Sequence, residues 1–504
     1  MAEHRKVRKA VVVGAGPVGC LSAIALAKQG WHVEIYEGRP DLRLPSSKSA
    51  AQQRSINLAI SARGITALQA IHPGASDRFL RAAIPMRGRM IHDVQGNQDS
   101  QAYDRNGQSI NSIDRALLNE DLLEEAVAVP NIKIFFNHKI VNIDFDARHM
   151  SVKDETAREL RVAFDLCIGA DGSYSVVRRQ MMRVVRMDYQ QTYIPHEYLE
   201  LRMPAGLPNP VDGEPTFLLD PNHLHIWPRH SFMLIALPNK DKTFTCTLFA
   251  PTTEFERLKT REITLKWFKS NFPDALPLIG EEALLRDFEK NPRSALITVK
   301  ASPYHYKDRA IILGDAAHSM VPFYGQGLNC GLEDVRVLDL LLRQHQVDPA
   351  LQFGVGQEDA RLARALHVYS ETRYEDLIAI SELAMANYTE MRHSVTTPLY
   401  RFRKAMDNIL YSLTAHQVMP AVISPGPTPA TDPFPTKRPS GWLPLYTMVT
   451  FRPDIGYATA RRESRRQAQV LQYATWASTA VAVGTVAITC INLWRRFRAL
   501  RSAA

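Results

Sequence analysis

The chain has 504 residues, 45% hydrophobic and 22% charged, with a formal net charge of +9. That is too long for one compact core, and the composition excludes a disordered, collagenous or disulfide-stapled protein, so two or three globular domains are expected. Much of the basic excess is local (Arg461, Arg462, Arg465, Arg466, Arg495, Arg496, Arg498 and Arg501), which a membrane-flanking tail explains better than a nucleic-acid-binding face.

The first element is an apolar run, Ala10 to Val13, that reads as a buried parallel strand. It breaks into Gly14-Ala15-Gly16-Pro17-Val18-Gly19, the pattern G-x-G-x-x-G, and a helix follows with Leu21, Ile24, Ala25 and Leu26 on its apolar face. Gly30 ends the helix, and Val33 to Glu37 forms the second strand. In this context Gly14 permits a tight turn, Gly16 lets backbone approach a pyrophosphate, and Gly19 lets helix and strand pack closely. The helix N-terminus offers free N–H groups to phosphate. Glu37, 23 positions after Gly14, can accept hydrogen bonds from the ribose hydroxyls of an adenosine. The order strand, turn, helix, strand, acid is what makes the motif specific for a dinucleotide.

Next, Ser55 to Ser61 leads into a helix from Ala62, and IPMRGRMIHD (84–93) alternates like a strand carrying Arg87 and Arg89. An arginine on a half-buried strand usually meets an anion. Arg115 opens the helix LLNEDLLEEAV against the dipole preference, so an anion such as a pyrophosphate is expected nearby. Residues 132–168 read as a short antiparallel sheet ending in the apolar strand Phe164 to Ile168. The motif GADGSYSVVR (169–178) then joins strand to helix, with a tight turn at Asp171-Gly172. Residues 186–300 alternate in short aromatic-rich strands, an antiparallel sheet covering a pocket. The strand Ile311 to Leu313 runs into Gly314-Asp315-Ala316-Ala317-His318, then Pro322-Phe323-Tyr324-Gly325-Gln326-Gly327-Leu328-Asn329 and a helix from Cys330. An Asp at a strand end can hold a ribitol hydroxyl, and a glycine-rich loop before a helix offers N–H groups to an isoalloxazine edge. His318 beside Asp315 is read as a hydrogen-bonded loop residue rather than an acid–base pair.

Helical periodicity covers 333–343 and 360–387, and 420–440 is a Pro-rich insertion. Ala474 to Leu493 contains 20 residues without a charge, enough to cross a bilayer core as a C-terminal anchor. Five scattered cysteines (Cys20, Cys167, Cys246, Cys330 and Cys490) show no metal-binding spacing, which argues for a reducing compartment and against structural zinc. The start, MAEHRKVRKA, has no apolar h-region.

The three motifs in this order, G-x-G-x-x-G…E, D-G-x-x-S-x-V-R and GDAAH…P…GQG-N, resemble the class A flavoprotein aromatic hydroxylases of para-hydroxybenzoate hydroxylase fold. The segments RSINLAISARG (54–64), IPMRGRMIHD (84–93), YIPHEYLELRMP (193–204), LHIWPRHSFMLIALPNKDKTFTCTLFAP (224–251), ANYTEMR (386–392) and PLYTMVTF (444–451) are similar to the kynurenine 3-monooxygenase family within that class, over nearly the whole chain to about residue 470.

The resemblance implies an α/β Rossmann-like FAD-binding domain (1–185 and 300–375, including 84–110 facing the substrate), an antiparallel-sheet substrate domain (186–299), a C-terminal helical region (376–470) and a membrane anchor (474–493). It implies hydroxylation of L-kynurenine to 3-hydroxy-L-kynurenine with FAD, NADPH and O2 through a C4a-hydroperoxyflavin, at the mitochondrial outer membrane facing the cytosol. The flavin carries the chemistry, so no catalytic side chain and no metal is expected. Matched to the family, Arg89, Tyr103, Asn387 and Tyr446 bind substrate, with a guanidinium suited to its carboxylate. Glu37, Arg39, Arg115, Asp171, Asp315, Leu328 and Asn329 bind FAD, alongside Gly14, Gly16, Gly19 and Gly327. No second dinucleotide fold is visible, so NADPH binds a surface groove. The competing readings are a flavin hydroxylase of another aromatic acid, a flavin reductase or dehydrogenase without hydroxylation, and a non-catalytic binding protein on the same fold, such as a Rab GDP-dissociation inhibitor.

Overall fold

The computed structural model describes residues 7–47, 57–354, 356–392, 397–414 and 441–474, with 485, 488, 489 and 491. Strand Lys9–Val13 carries an apolar run that is nearly solvent-free, and it sits in the interior of a six-stranded sheet. The order is His305–Tyr306, Ala310–Ile312, Leu166–Gly169, Lys9–Val13, His32–Tyr36, Ile132–Phe135. All but His305–Tyr306 run parallel. Helices cover both faces of such a sheet, which is why its strands are continuous apolar runs rather than alternating ones. Helix Pro17–Lys28 starts with Pro at its first turn, the place where a missing N–H costs nothing. It packs between the sheet and helices Arg115–Ala128 and Gly327–Gln344.

The expectation of one antiparallel sheet over 132–168 is corrected here. Ile132–Phe135 and Leu166–Gly169 are parallel strands of the nucleotide sheet. Only Lys139–Asp144, His149–Lys153 and Glu159–Ala163 form the antiparallel unit. The helix expected from Cys330 begins at Gly327.

The second sheet has seven strands in the order Ser294–Ser302, Asp188–Met203, Phe244–Pro251, Phe232–Pro238, His223–Arg229, Gly88–His92, Gln98–Ala102. The last two come from the segment 84–110, and Gly88–His92 joins His223–Arg229 in parallel. One face of the sheet buries Leu199, Leu201, Trp227, Leu234 and Phe244 against helices Arg261–Asn271, Ala275–Ile279 and Glu281–Lys290. The other face turns to the nucleotide domain. Strand Gly88–His92 is pinned at its far end: His92 lies on Trp227 with ring centroids 4.1 Å apart, its Nε2 is 2.9 Å from His225 Nδ1, and its Nδ1 is 3.1 Å from Asp274 Oδ2.

A buried ionic network ties the C-terminal helices to the nucleotide domain. Arg63 on helix Ala62–Ile71 pairs with Glu333 Oε1 at 3.0 Å and donates to the carbonyls of Val449 at 2.7 Å and Arg452 at 3.1 Å. Arg373 on helix Ala360–Arg392 pairs with Glu333 Oε2 at 3.0 Å and Asp334 Oδ1 at 2.8 Å. Asp334 Oδ2 accepts from the Gly314 N–H at 3.1 Å and faces His318 Nε2 at 2.5 Å. His318 is thus a buried structural partner of Asp334. Burial opposes ionisation of Asp334, but His318 and Arg373 outweigh it and pull its carboxyl down to about 2.

Among the described residues no helix is long and apolar enough to cross a membrane. The Pro-rich stretch 420–440, Cys490 and most of 474–493 lie outside the described residues.

Candidate active site

The nucleotide end is built from the first strand–helix–strand unit. Gly14 has φ +101° and donates its N–H to Tyr36 O at 2.9 Å. A Cβ on Gly19 would stand 2.0 Å from the Gly14 carbonyl oxygen, whereas one on Gly16 would meet no atom within 4 Å. Gly19 therefore serves helix–strand contact, while the space over Gly16 is open in front of the helix N-terminus, as a pyrophosphate requires. This separates two predictions. Gly16→Ala should fold with an unchanged melting temperature but lose FAD affinity by about tenfold or more, read as the flavin-to-protein absorbance ratio after dialysis. Gly19→Ala should lower the melting temperature itself. Equal behaviour of the two variants would contradict the assignment.

Glu37, at the end of the second strand, accepts from the Ala15 N–H and the Arg39 N–H at 2.9 Å each, and from Arg39 Nε at 2.9 Å. Burial opposes its charge, yet the Arg39 guanidinium and these N–H groups hold its carboxyl below the usual range. It is therefore a fixed acceptor for ribose hydroxyls. Asp171 Oδ2 accepts from the N–H groups of Val176 at 2.6 Å and Val177 at 3.2 Å, while its Oδ1 is buried without a partner. Asp315 is exposed just beyond strand Ala310–Ile312. Arg115 is exposed at the first position of its helix, behind the Asp114 N-cap. Gly327 begins the helix that carries Leu328 and Asn329. The Asn329 side chain is a brace: it accepts from Ser61 N–H at 2.8 Å and donates to Ala59 O at 2.8 Å and Gly325 O at 2.7 Å. The open space over Gly16 and the unpartnered Asp171 oxygen fit a bound dinucleotide.

The second half of the site lies on the sheet face turned toward this domain. The break between strands Ile84–Met86 and Gly88–His92 separates the two arginines: Arg89, within the second strand, is 6% exposed, while Arg87, in the break, is exposed to solvent. The Arg89 guanidinium sits 5.2 Å from the Tyr446 ring centroid and 5.8 Å from that of Tyr103. These two rings stack at 4.8 Å, and Tyr446 stacks in turn on Tyr324 at 5.8 Å. Arg89 Nε and the Tyr103 hydroxyl are buried without partners. Asn387 lies at the base of the same region, donating to Phe323 O at 2.6 Å. The structure thus brings Arg89, Tyr103 and Tyr446 together and sets Asn387 beneath the loop Pro322–Tyr324.

Sequence reasoning missed four neighbours: Tyr324, Glu390, Tyr400 and Lys404. Glu390 Oε1 lies 3.3 Å from Arg89 Nη1 and accepts from the Tyr400 hydroxyl at 3.0 Å. Its place three residues after Asn387, on one helix face, was a signal available in ANYTEMR.

Glu200 was also missed. Register pairs it with Thr247, next to Tyr198 opposite Phe249, and Phe249 meets Phe323 with centroids 5.0 Å apart. Glu200 Oε1 and Thr247 Oγ1 are both buried and unpartnered. Burial pushes the Glu200 carboxyl up to about 7, with Arg115 partly opposing. The folded state therefore holds this proton where the unfolded chain has lost it, so Glu200 costs stability as pH rises from 4.5 to about 7, on the order of 3 kcal/mol above that range. Glu200→Gln should stabilise the protein at pH 8 and leave it nearly unchanged at pH 4.5, as measured by thermal unfolding at both. An equal effect at both pH values would count against a protonated Glu200.

A dinucleotide cradle facing an aromatic, arginine-bearing sheet defines an FAD-dependent hydroxylase. The FAD binding domain family model matches residues 8–346. Solved structures share the fold: 2-methyl-3-hydroxypyridine-5-carboxylic acid oxygenase at TM-score 0.58 and 21% identity, covering 78% of this chain and 95% of that one. An FAD-complexed HpxO variant from Klebsiella pneumoniae aligns at TM-score 0.56 and 20% identity, covering 77% and 91%. Among curated relatives, kynurenine 3-monooxygenase of Cryptococcus neoformans var. neoformans serotype D (strain B-3501A) is 46% identical, covering 98% of each chain. That of Saccharomyces cerevisiae is 40% identical, covering 92% of this chain and 93% of its own. The chain belongs to the kynurenine 3-monooxygenase family and is an FAD monooxygenase.

Proposed function

We propose that the protein hydroxylates L-kynurenine to 3-hydroxy-L-kynurenine with NADPH and O2. The observation that carries this reading is the buried Arg89 guanidinium set against the stacked rings of Tyr103 and Tyr446. A guanidinium holds a carboxylate, and flat aromatic walls orient an aryl ring. Bound FAD supplies the redox and oxygen chemistry. The residues bind and orient the substrate: Arg89 takes the carboxylate, Tyr103 and Tyr446 line the ring, Asn387 supports the loop beside it, and the sheet excludes water. Glu37, Arg39, Asp171, Asp315 and the glycine turns hold the FAD, with Arg115, Leu328 and Asn329 flanking it. The domain division 1–185 with 300–375, 186–299 and 376–470 follows the same plan. The test is NADPH oxidation by the flavin-loaded protein with and without L-kynurenine, with the product identified by mass. A kynurenine-dependent product one oxygen heavier is expected. Oxidation without that product would favour a reductase or another aromatic acid.

The uncharged stretch 474–493 between basic flanks supports a membrane anchor, placing the enzyme on the mitochondrial outer membrane with its catalytic part in the cytosol. A chain ending before Ala474 should move from the membrane pellet to the supernatant with its activity retained. Continued pelleting would show another anchor.

A further inference from the structure

Lys404 stands on helix Pro398–Thr414, one turn after Tyr400. Its ammonium donates to Gln101 Oε1 at 3.4 Å, and Gln101 is the residue directly opposite Arg89 in strand register. Among the described residues no carboxylate lies within ion-pair distance of Lys404. The charged and titratable groups around it are Arg89, Glu390 and Asp99, with Tyr400, Tyr103 and Tyr446 on the arginine's other sides. Glu390 is already shared between Arg89 and Tyr400, and Asp99 is engaged by Gln101 Nε2 at 3.1 Å. A half-buried ammonium with three donors and one long bond to a neutral amide has unused capacity for an anion.

We propose that Lys404 is the second cation of the carboxylate seat, acting with Arg89 to recognise the α-carboxylate of an amino-acid substrate. This rests on the reading that Arg89 binds that carboxylate. It makes Lys404 a specificity residue, selecting aryl amino acids over aryl amines of the same shape. Burial and the nearby Arg89 charge bring the ligand-free amine down to about 8. The binding form is the ammonium, so substrate affinity is full below that pH and falls as pH rises through it.

The test is a titration of bound-flavin absorbance with L-kynurenine and with its decarboxylated amine, using the wild-type holoenzyme, Lys404→Met, Lys404→Arg and Arg89→Ala. Lys404→Met should weaken kynurenine binding about tenfold and change amine binding by less than about twofold. Lys404→Arg should restore most of the loss. Between pH 6.5 and 9 wild-type affinity should drop above about pH 8, while Lys404→Arg stays flat because a guanidinium remains charged. The pH comparison decides the matter if Lys404→Met fails to retain FAD or the amine binds too weakly to titrate. An equal loss for both ligands, or none together with a shared pH profile, overturns the proposal. If Arg89→Ala discriminates between the ligands and Lys404→Met does not, only Lys404 is misassigned. If Arg89→Ala does not discriminate either, the carboxylate reading itself fails.

Discussion

Arg89→Ala is expected to raise the KM for L-kynurenine about 100-fold while FAD stays bound. The guanidinium is buried at 6% exposure with Nε free, so it meets a ligand carboxylate out of competition with water. Truncating one partner of such a charge-assisted pair costs about 2–5 kcal/mol, and about 3 kcal/mol is a factor of roughly 100. The ion pair and ring contacts of Arg89 go to Glu390, Tyr103 and Tyr446 rather than to the glycine turns, Glu37 or Asp171, which is why flavin retention should not change. Arg89→Lys should fall between the two, keeping the charge but losing the planar fork. Arg87→Ala is the control: its side chain points to solvent, and its KM should stay within about twofold. Steady-state kinetics together with flavin absorbance decides the case, and a KM unmoved by Arg89→Ala would end the assignment.

Arg373→Met should be the most destabilising change in the core of the nucleotide domain, by about 3–5 kcal/mol. Arg373 neutralises both Glu333 and Asp334, each about 1% exposed or less. Removing it leaves Glu333 with Arg63 and Asp334 with His318, two carboxylates short of a cation where water cannot reach them. The loss should spread to the cofactor loop, because Asp334 holds the Gly314 N–H immediately before Asp315. The expected result is a melting temperature lower by several degrees and early flavin release on heating, followed by flavin fluorescence. A melting curve that overlays the wild type would show that the network contributes little. Arg373→Lys should recover only part of the loss, since one ammonium cannot span both acids as the guanidinium does.

The nucleotide unit was legible because its signals are local: strand, glycine turn, helix and acid follow within 30 residues. Arg89, Tyr103, Asn387 and Tyr446 came from family resemblance, and no local rule separated Arg89 from Arg87. Two apart, they share strand parity; the distinction arises because the chain leaves one sheet at Met86 and enters another at Gly88, where it pairs with His223–Arg229 far along the chain. Ile132–Phe135 was misplaced for the same reason: a four-residue apolar strand does not state which sheet it joins, or in which direction. Glu390 and Lys404 face residues about 300 positions away, and the Arg63 and Arg373 pairings are likewise non-local, so periodicity could not reveal them. The Asp171 and Asp315 motifs were readable, but the unpartnered Asp171 oxygen appears only in three dimensions.

The pairing of Arg63 with the Val449 carbonyl has a consequence for how the chain is made. During translation Arg63 leaves the ribosome 386 residues ahead of the Val449 carbonyl, so the nucleotide domain cannot complete the hydrogen bonding of this buried arginine until nearly the whole chain has been made. Until the final stretch emerges, Arg63 has Glu333 as its ion-pair partner but lacks the carbonyl acceptors that complete its burial. Nascent chains should therefore depend on chaperones for most of synthesis and take up flavin only after release. Products of premature termination upstream of Val449 should be degraded rather than persist as flavin-loaded fragments.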